Sequence, residues 1–350
     1  MNEIILNKKK FFKGLIVSII IGIITTLTLI SITTNQNTWR SLSYINIKFL
    51  LLGFSLMIFA AIVNAFRIQM AVESVYEKIS FKEALKVYYI SNFAGSVTPF
   101  FTGTLPAQIF LFNKIIQNKI PLGKATMIAT VIPLLKTLVF TIFTPIIFFL
   151  YRKTVNDYTV LSIIFIDAAI LISLFLLFLF FWAVKYPEKM IKIFLKIQNL
   201  PCISKLFKKE KISHIFDKVI LEINEFHRSF YLLKENWIKL LFSFFFTVIF
   251  WSTFFIVAPL LLWGFDLNFN LSHVLVMQVI FYFILPFMPT PGGSGTAEIG
   301  FASLFSFFVP YHLLGIFIGA WRIITFYLNL GIGVIVLLVE LKKIRKNRKK

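Results

Sequence analysis

A single cysteine, Cys202, in 350 residues excludes an intrachain disulfide and any cysteine-rich metal site. Histidine is nearly as scarce. The four that occur, His214, His227, His273 and His312, are not spaced as metal ligands, and no cofactor is expected. Acidic residues are few as well, 15 Asp and Glu against 36 Lys and Arg, for a net charge of +21. In a water-soluble chain that balance would point to nucleic acid. Long polar stretches are also few, however, the longest being 185–236. The chain is 58% hydrophobic, its mean hydropathy is +0.85, and several apolar runs reach the ~20 residues that cross a bilayer. The cations are then better explained as basic loops that hold cytoplasmic ends inside and meet anionic inner-leaflet lipids, with no nucleic-acid partner. The composition therefore predicts an all-α polytopic membrane protein, residues 1–350 forming a single membrane domain. There is no amphipathic transit peptide or lipidation motif. The apolar run from Leu15 to Thr34 is too long for a signal-peptide core and reads as a first span.

Against that background, residues 286–300 stand out: Pro286-Phe-Met-Pro289-Thr-Pro291-Gly292-Gly293-Ser294-Gly295-Thr296-Ala297-Glu298-Ile-Gly300. Glu298 is the only Asp, Glu, Lys or Arg between Asp266 and Arg322. Proline removes backbone donors and glycine weakens helices, so this stretch cannot lie in an ordinary membrane helix. Irregular backbone at membrane depth survives only against protein or a water-filled cavity. The spacing predicts a broken or re-entrant hairpin, with a surface loop between two spans as the alternative.

A related pattern occurs earlier. Pro99-Phe-Phe-Thr102-Gly103-Thr104 matches Pro291-Gly-Gly-Ser294-Gly295-Thr296 as Pro-x-x-(Ser/Thr)-Gly-Thr, followed by Ala107-Gln108 and Ala297-Glu298. Each motif precedes a long apolar segment with one cation at depth, Lys136 in the first half and Arg322 in the second. Interrupted apolar segments at corresponding places in two halves mark transporter binding sites. The motif Pro289-x-Pro291-Gly-Gly293-x-Gly295-x-x-Glu298, the later Arg322, and Thr98-Pro99-x-x-x-Gly103-x-x-Pro106-x-Gln108 resemble the lysylphosphatidylglycerol synthase transmembrane, or flippase-like, family. The likeness runs roughly from Phe11 to Glu340. It implies phospholipid flipping, with aminoacyl-phosphatidylglycerol as the familiar substrate class, and a functional role for Arg322. Where the family usually carries an arginine followed by an acid, this chain has Lys136-Thr-Leu-Val139. The relatives' C-terminal synthase domain has no counterpart before Lys350, so aminoacyl transfer is not expected.

Charge placement orders the segments. Spans are expected at about 15–34, 49–66, 125–150, 159–184, 237–263 and 312–339, with interrupted segments at Tyr88–Phe112 and His273–Pro310. Cations flank the first interrupted segment and are missing around the second, so one hairpin enters from each side. The result is six full spans plus two hairpins in an inverted repeat, half one at about 11–150 and half two at about 159–340. Eight full spans are the alternative. A basic region at 185–236 and a stretch at Gln69–Lys86 are expected along the inner surface. Both termini are expected in the cytoplasm, and the Lys-, Ile- and Phe-rich composition points to a bacterial plasma membrane.

The expected substrate-binding residues are Arg322, Lys136, Glu298, Pro291, Gly292, Gly293, Ser294, Gly295, Thr296, Pro99, Thr102, Gly103, Thr104 and Gln108. Arginine grips phosphate or carboxylate through paired bonds. It could equally form a structural pair with Glu298, which in turn could cap a helix beginning near Gly295. The hydroxyls and Gln108 could bind a headgroup or satisfy broken backbone. Arg67 reads as the inner boundary of its span, Asp167 as near an outer interface, and Asn64 and Asn92 as helix-packing groups. Gly315-x-x-x-Gly319 could pack helices within one chain or in a homo-oligomer. The expected partner is a phospholipid or a polyprenyl-phosphate lipid that the protein moves between leaflets. The alternatives are an intramembrane lipid-modifying enzyme and a partner subunit of a cell-envelope enzyme.

Overall fold

A computed structural model describes residues 8–36, 38, 46–117, 119–151, 160–189, 191–192 and 209–348. The loop at Arg40, the loop at 152–158 and Cys202 lie outside the described residues, as does the side chain of Asp167. The first half comprises α1 (Lys8–Thr33), α2 (Ile47–Glu73), α3 (Phe81–Ser96), α4 (Thr104–Phe110), which widens into a π turn at Leu111–Ile115, and α5 (Leu122–Tyr151). The second comprises α6 (Val160–Lys185), α7 (Lys209–Glu235), α8 (Trp237–Gly264), α9 (Leu271–Ile284), α10 (Thr296–Phe305), α11 (Tyr311–Arg322), a π turn at Ile323–Tyr327, and α12 (Leu328–Arg348). Among the described residues, four stretches are long and apolar enough to cross a membrane: Ile47–Glu73, Leu122–Phe143, Trp237–Gly264 and Tyr311–Lys343. The first and fourth expected spans are also helical, each 26 residues long. The protein is an all-helical polytopic membrane protein.

Polar contacts fix the two ends. At one end Glu73 pairs with Lys239, Glu77 with Lys124 at 2.6 Å, and Lys86 with Glu340 at 3.0 Å. At the other end the Asn46 amide donates to the Gly264 carbonyl, and Thr38 Oγ1 donates to the His312 carbonyl. The α3–α4 hairpin opens from the basic end, where Ser80 and Glu83 form a reciprocal cap that starts α3. The α9–α10 hairpin follows directly from Gly264 and so opens from the opposite end. Helices α9 and α10, of 14 and 10 residues, are about 21 and 15 Å long, short of a ~30 Å hydrocarbon core. The hairpin tips meet, with the Phe100 amide donating to the Met288 carbonyl at 3.2 Å.

The packing obeys an exchange of halves. Helix α2 lies along α8, its own counterpart. Helix α3 packs on α12, and its counterpart α9 packs on α5. Likewise α11 packs on α1 and α5 on α6. Backbone conformation repeats too. Phe100 and Phe101 have φ of 56° and 54°, and Gly292 and Gly293, at the matching motif positions, have φ of 63° and 66°. A left-handed pair of phenylalanines is unusual. The repeat in conformation is therefore far stronger evidence than a six-residue match.

Two sequence expectations need correction. The stretch Gln69–Lys86 is not a single segment laid along the surface: α2 continues to Glu73, a turn follows with Ser74 and Val75 buried and Tyr76 exposed, α3 starts at Phe81, and the Gln69 side-chain amide donates to the Ile79 carbonyl at 3.0 Å. Arg67 does not mark the end of its span. It is 7% exposed, with its guanidinium 5.5 Å from the centre of the Phe250 ring, and the Glu73–Lys239 pair marks the end instead. Gly315 and Gly319 pack within the chain, against Ile30, Thr33 and Thr26 of α1. The basic region does include an amphipathic helix, α7, which lies against the start of α5.

Candidate functional site

The second hairpin tip is built around one carboxylate. Glu298 occupies the third position of α10, where a carboxylate can turn back on the helix start, and its Oε2 accepts from the Gly295 amide at 2.7 Å. Its Oε1 accepts from Arg322 Nε, also at 2.7 Å. Both side chains are almost fully enclosed, Arg322 at 2% and Glu298 at 0% exposure. The guanidinium also reaches the Gly292 carbonyl at 3.4 Å and stacks 4.3 Å from the centre of the Phe326 ring. Arg322 ends α11, which starts at the end opposite the basic one, so it lies about 16 Å along the helix from that end, roughly half of a ~30 Å hydrocarbon core. An unpaired charge there would cost several kcal/mol. The π turn immediately after it re-aims the following side chains, a feature frequent at functional sites.

The structure brings Pro291, Gly292, Gly293, Ser294, Gly295 and Thr296 together with Glu298 and Arg322. It brings Pro99 and its neighbours against the same loop, where the Ser96 carbonyl sits beside Gly292. Much of the expected hydrogen-bonding capacity serves the loops themselves. Thr296 Oγ1 donates to the Gly293 carbonyl, Thr102 Oγ1 to the Pro99 carbonyl, and the Gly103 amide to Thr98 Oγ1. Thr104 packs onto Gly95, and Gln108 is buried on α4. Lys136 is not at this junction; its ammonium lies over the Trp251 and Phe140 rings, 4.5 and 5.3 Å from their centres.

Two residues of the site were not found from sequence. Gly22 on α1 lets that helix close over the junction: a Cβ there would stand 2.4 Å from the Tyr327 hydroxyl and 3.4 Å from Glu298 Oε1. Tyr327 keeps its hydroxyl buried without a partner. Nothing in an apolar first span distinguishes Gly22 from Gly14. Gly22→Ala is expected to destabilise the protein by about 1–3 kcal/mol through overpacking. Tyr327→Phe alone is expected to be nearly neutral, and adding it should recover most of the Gly22→Ala loss. Thermal melting of the single and double variants in detergent checks this; an unrecovered double variant would refute the contact.

Residues 15–333 match the family described as the lysylphosphatidylglycerol synthase TM region. The chain belongs to that family. It is also 25% identical over 323 residues to a UPF0104 membrane protein of Archaeoglobus fulgidus, covering 91% of this chain and 94% of the relative. The matched region contains both hairpins, Glu298 and Arg322, so the family spans the whole junction. Membership supports a membrane lipid-related role and a multi-pass membrane location.

Proposed function

We propose that this family member moves an anionic or aminoacylated phospholipid, or a lipid-linked phosphate, between leaflets, rather than chemically modifying it. The observation that carries this reading is the tip-to-tip meeting of two hairpins from opposite ends around the Arg322–Glu298 pair. An inverted repeat with broken helices converging at mid-depth is the plan of alternating-access transporters. In this reading the ion pair is the closed form of a gate. A headgroup phosphate competes with Glu298 for the guanidinium, frees the carboxylate and loosens the α10 cap that it makes. Acyl or prenyl chains stay in the surrounding lipid. The basic end faces the cytoplasm, as its cluster of lysines favours.

Reconstitution into liposomes with fluorescent phosphatidylglycerol, aminoacylated phosphatidylglycerol or a polyprenyl phosphate, scored by leaflet accessibility, tests the proposal. Transfer of one of these lipids is expected, and its rate should fall at least about tenfold when Arg322 and Glu298 are both neutralised. No transfer of any of them by folded, oriented protein would refute it and favour a partner-subunit role.

A further inference from the structure

Beyond the hairpin junction lies a second polar cluster, built of donors of which two, Arg67 Nε and Trp251 Nε1, are buried without an acceptor. Arg67, buried on α2, leaves its Nε with no hydrogen-bond partner. Trp251 on α8 buries its indole Nε1 without a partner. Lys136 on α5 is half-buried and points its ammonium at the Trp251 ring from 4.5 Å. The two cations share one aromatic step: Arg67 sits over Phe250, Lys136 over Trp251, and those rings are 5.6 Å apart. Among the described residues neither has a carboxylate within 4.0 Å.

This contrasts with Arg322, which has Glu298. Cation–π contact offsets part of the burial of a charge, by about 0.5–2 kcal/mol. A ring face, however, accepts neither the Arg67 Nε–H nor the Trp251 N–H in these positions. Guanidinium, ammonium and indole have donors only. Two like charges and an orphan indole N–H therefore need a group that is negative and accepts from several directions, which describes a phosphoryl oxyanion. The cluster is also reachable from the side. Lys136 retains partial exposure, and Pro133, one turn earlier on α5, is exposed. Arg67 lies deeper, against Phe250.

We propose that Arg67, Lys136 and the Trp251 indole form an oxyanion site that takes the phosphodiester of an anionic lipid headgroup, with its chains left outside α5. The lipid identity rests on the transport reading above; the need for an anion does not. The same donors suit free phosphate, so the experiment separates the two sources.

The test uses the full chain in neutral detergent and three probes: short-chain phosphatidylglycerol, short-chain phosphatidylcholine and inorganic phosphate. Tryptophan fluorescence and thermal melting report binding. Phosphatidylglycerol is expected to bind best. Its Kd should rise at least about tenfold in Arg67→Gln and in Lys136→Met, the usual order for losing a charged hydrogen bond. Lys136→Arg should restore it, and Trp251→Phe, which keeps an aromatic ring, should weaken it severalfold. If Arg67→Gln fails to fold, the half-buried Lys136 and the Trp251 variants carry the test. Wild-type affinity in both Lys136→Met and Trp251→Phe overturns the site, and so does equal affinity for phosphatidylcholine. Equal affinity for inorganic phosphate, lost in the same variants, overturns the lipid assignment. Binding without transport would sink the transport reading alone, whereas transport with unaltered binding in these variants would sink this site alone.

Discussion

Replacing Arg322 by methionine is expected to destabilise the protein by about 3–5 kcal/mol, close to the total stability of many domains. The reason lies with its partner. Glu298 is fully enclosed, and without the guanidinium its carboxylate keeps only the Gly295 amide among its hydrogen bonds described above. Neutralising Glu298 alone should cost a similar amount, because the arginine is then stranded near mid-membrane. Neutralising both, as Arg322→Met with Glu298→Gln, should cost much less than the two losses summed. A buried pair contributes little net stability, yet breaking it is expensive. Glutamine can also still accept from the Gly295 amide. A double-mutant cycle by thermal melting in detergent measures the coupling, expected to be at least as large as one single loss, about 3–5 kcal/mol. Single variants that melt like the wild type would refute the pairing. The double variant matters for function as well: folded but without the pair, it separates loss of the proposed gate from loss of the fold.

Gly292→Ala is the second large effect. Its φ of 63° places an L-residue in the left-handed region, at about 1–2 kcal/mol. The added Cβ would also stand 2.6 Å from Phe326 Cζ and 2.8 Å from the Ser96 carbonyl. Backbone at Ser96 cannot yield cheaply, and the Phe326 ring is the one on which Arg322 stacks. Overpacking adds about 1–3 kcal/mol, so the loss should be about 2–5 kcal/mol and should carry the Arg322 site with it. Phe100→Ala is the matched comparison. Phe100 holds the equivalent position at φ 56° but its side chain is 49% exposed, so shortening it should change little. Equal melting shifts for the two variants would show that the loop tolerates a side chain at Gly292.

The broken segments were legible because proline and glycine have few physical uses at membrane depth, and because cations flank only one of them. The inverted order followed from that asymmetry. The Arg322–Glu298 pair was legible as one of three readings, beside phosphate contact and snorkelling to an interface, since a lone acid and a lone arginine in apolar surroundings need partners. Arg67 was misread because a cation near the end of an apolar run usually marks an interface. Only the extension of α2 to Glu73 and the ring of Phe250 show that it turns inward. The donor cluster is assembled from three helices distant in sequence, so no local spacing could display it. The hydroxyls of the two motifs were legible only as headgroup binders or backbone partners, and Thr102 and Thr296 do donate to carbonyls of their own loops. Sequence does not say who claims a hydroxyl first.

The exchange-related packing has one further consequence. The two halves are alike in plan, but their seams are not equally fastened. Helix α3 is pinned to α12 by Lys86–Glu340 and by Gly333, where a Cβ would stand 2.8 Å from the Tyr89 carbonyl oxygen. Its counterpart seam, α9 on α5, has no ion pair among the described residues. In the transport reading proposed above, interchanging the tight and the loose seam would turn the molecule inside out without any new architecture. The second shape would then be the first with the halves renamed, and the latch to be undone would be Lys86–Glu340.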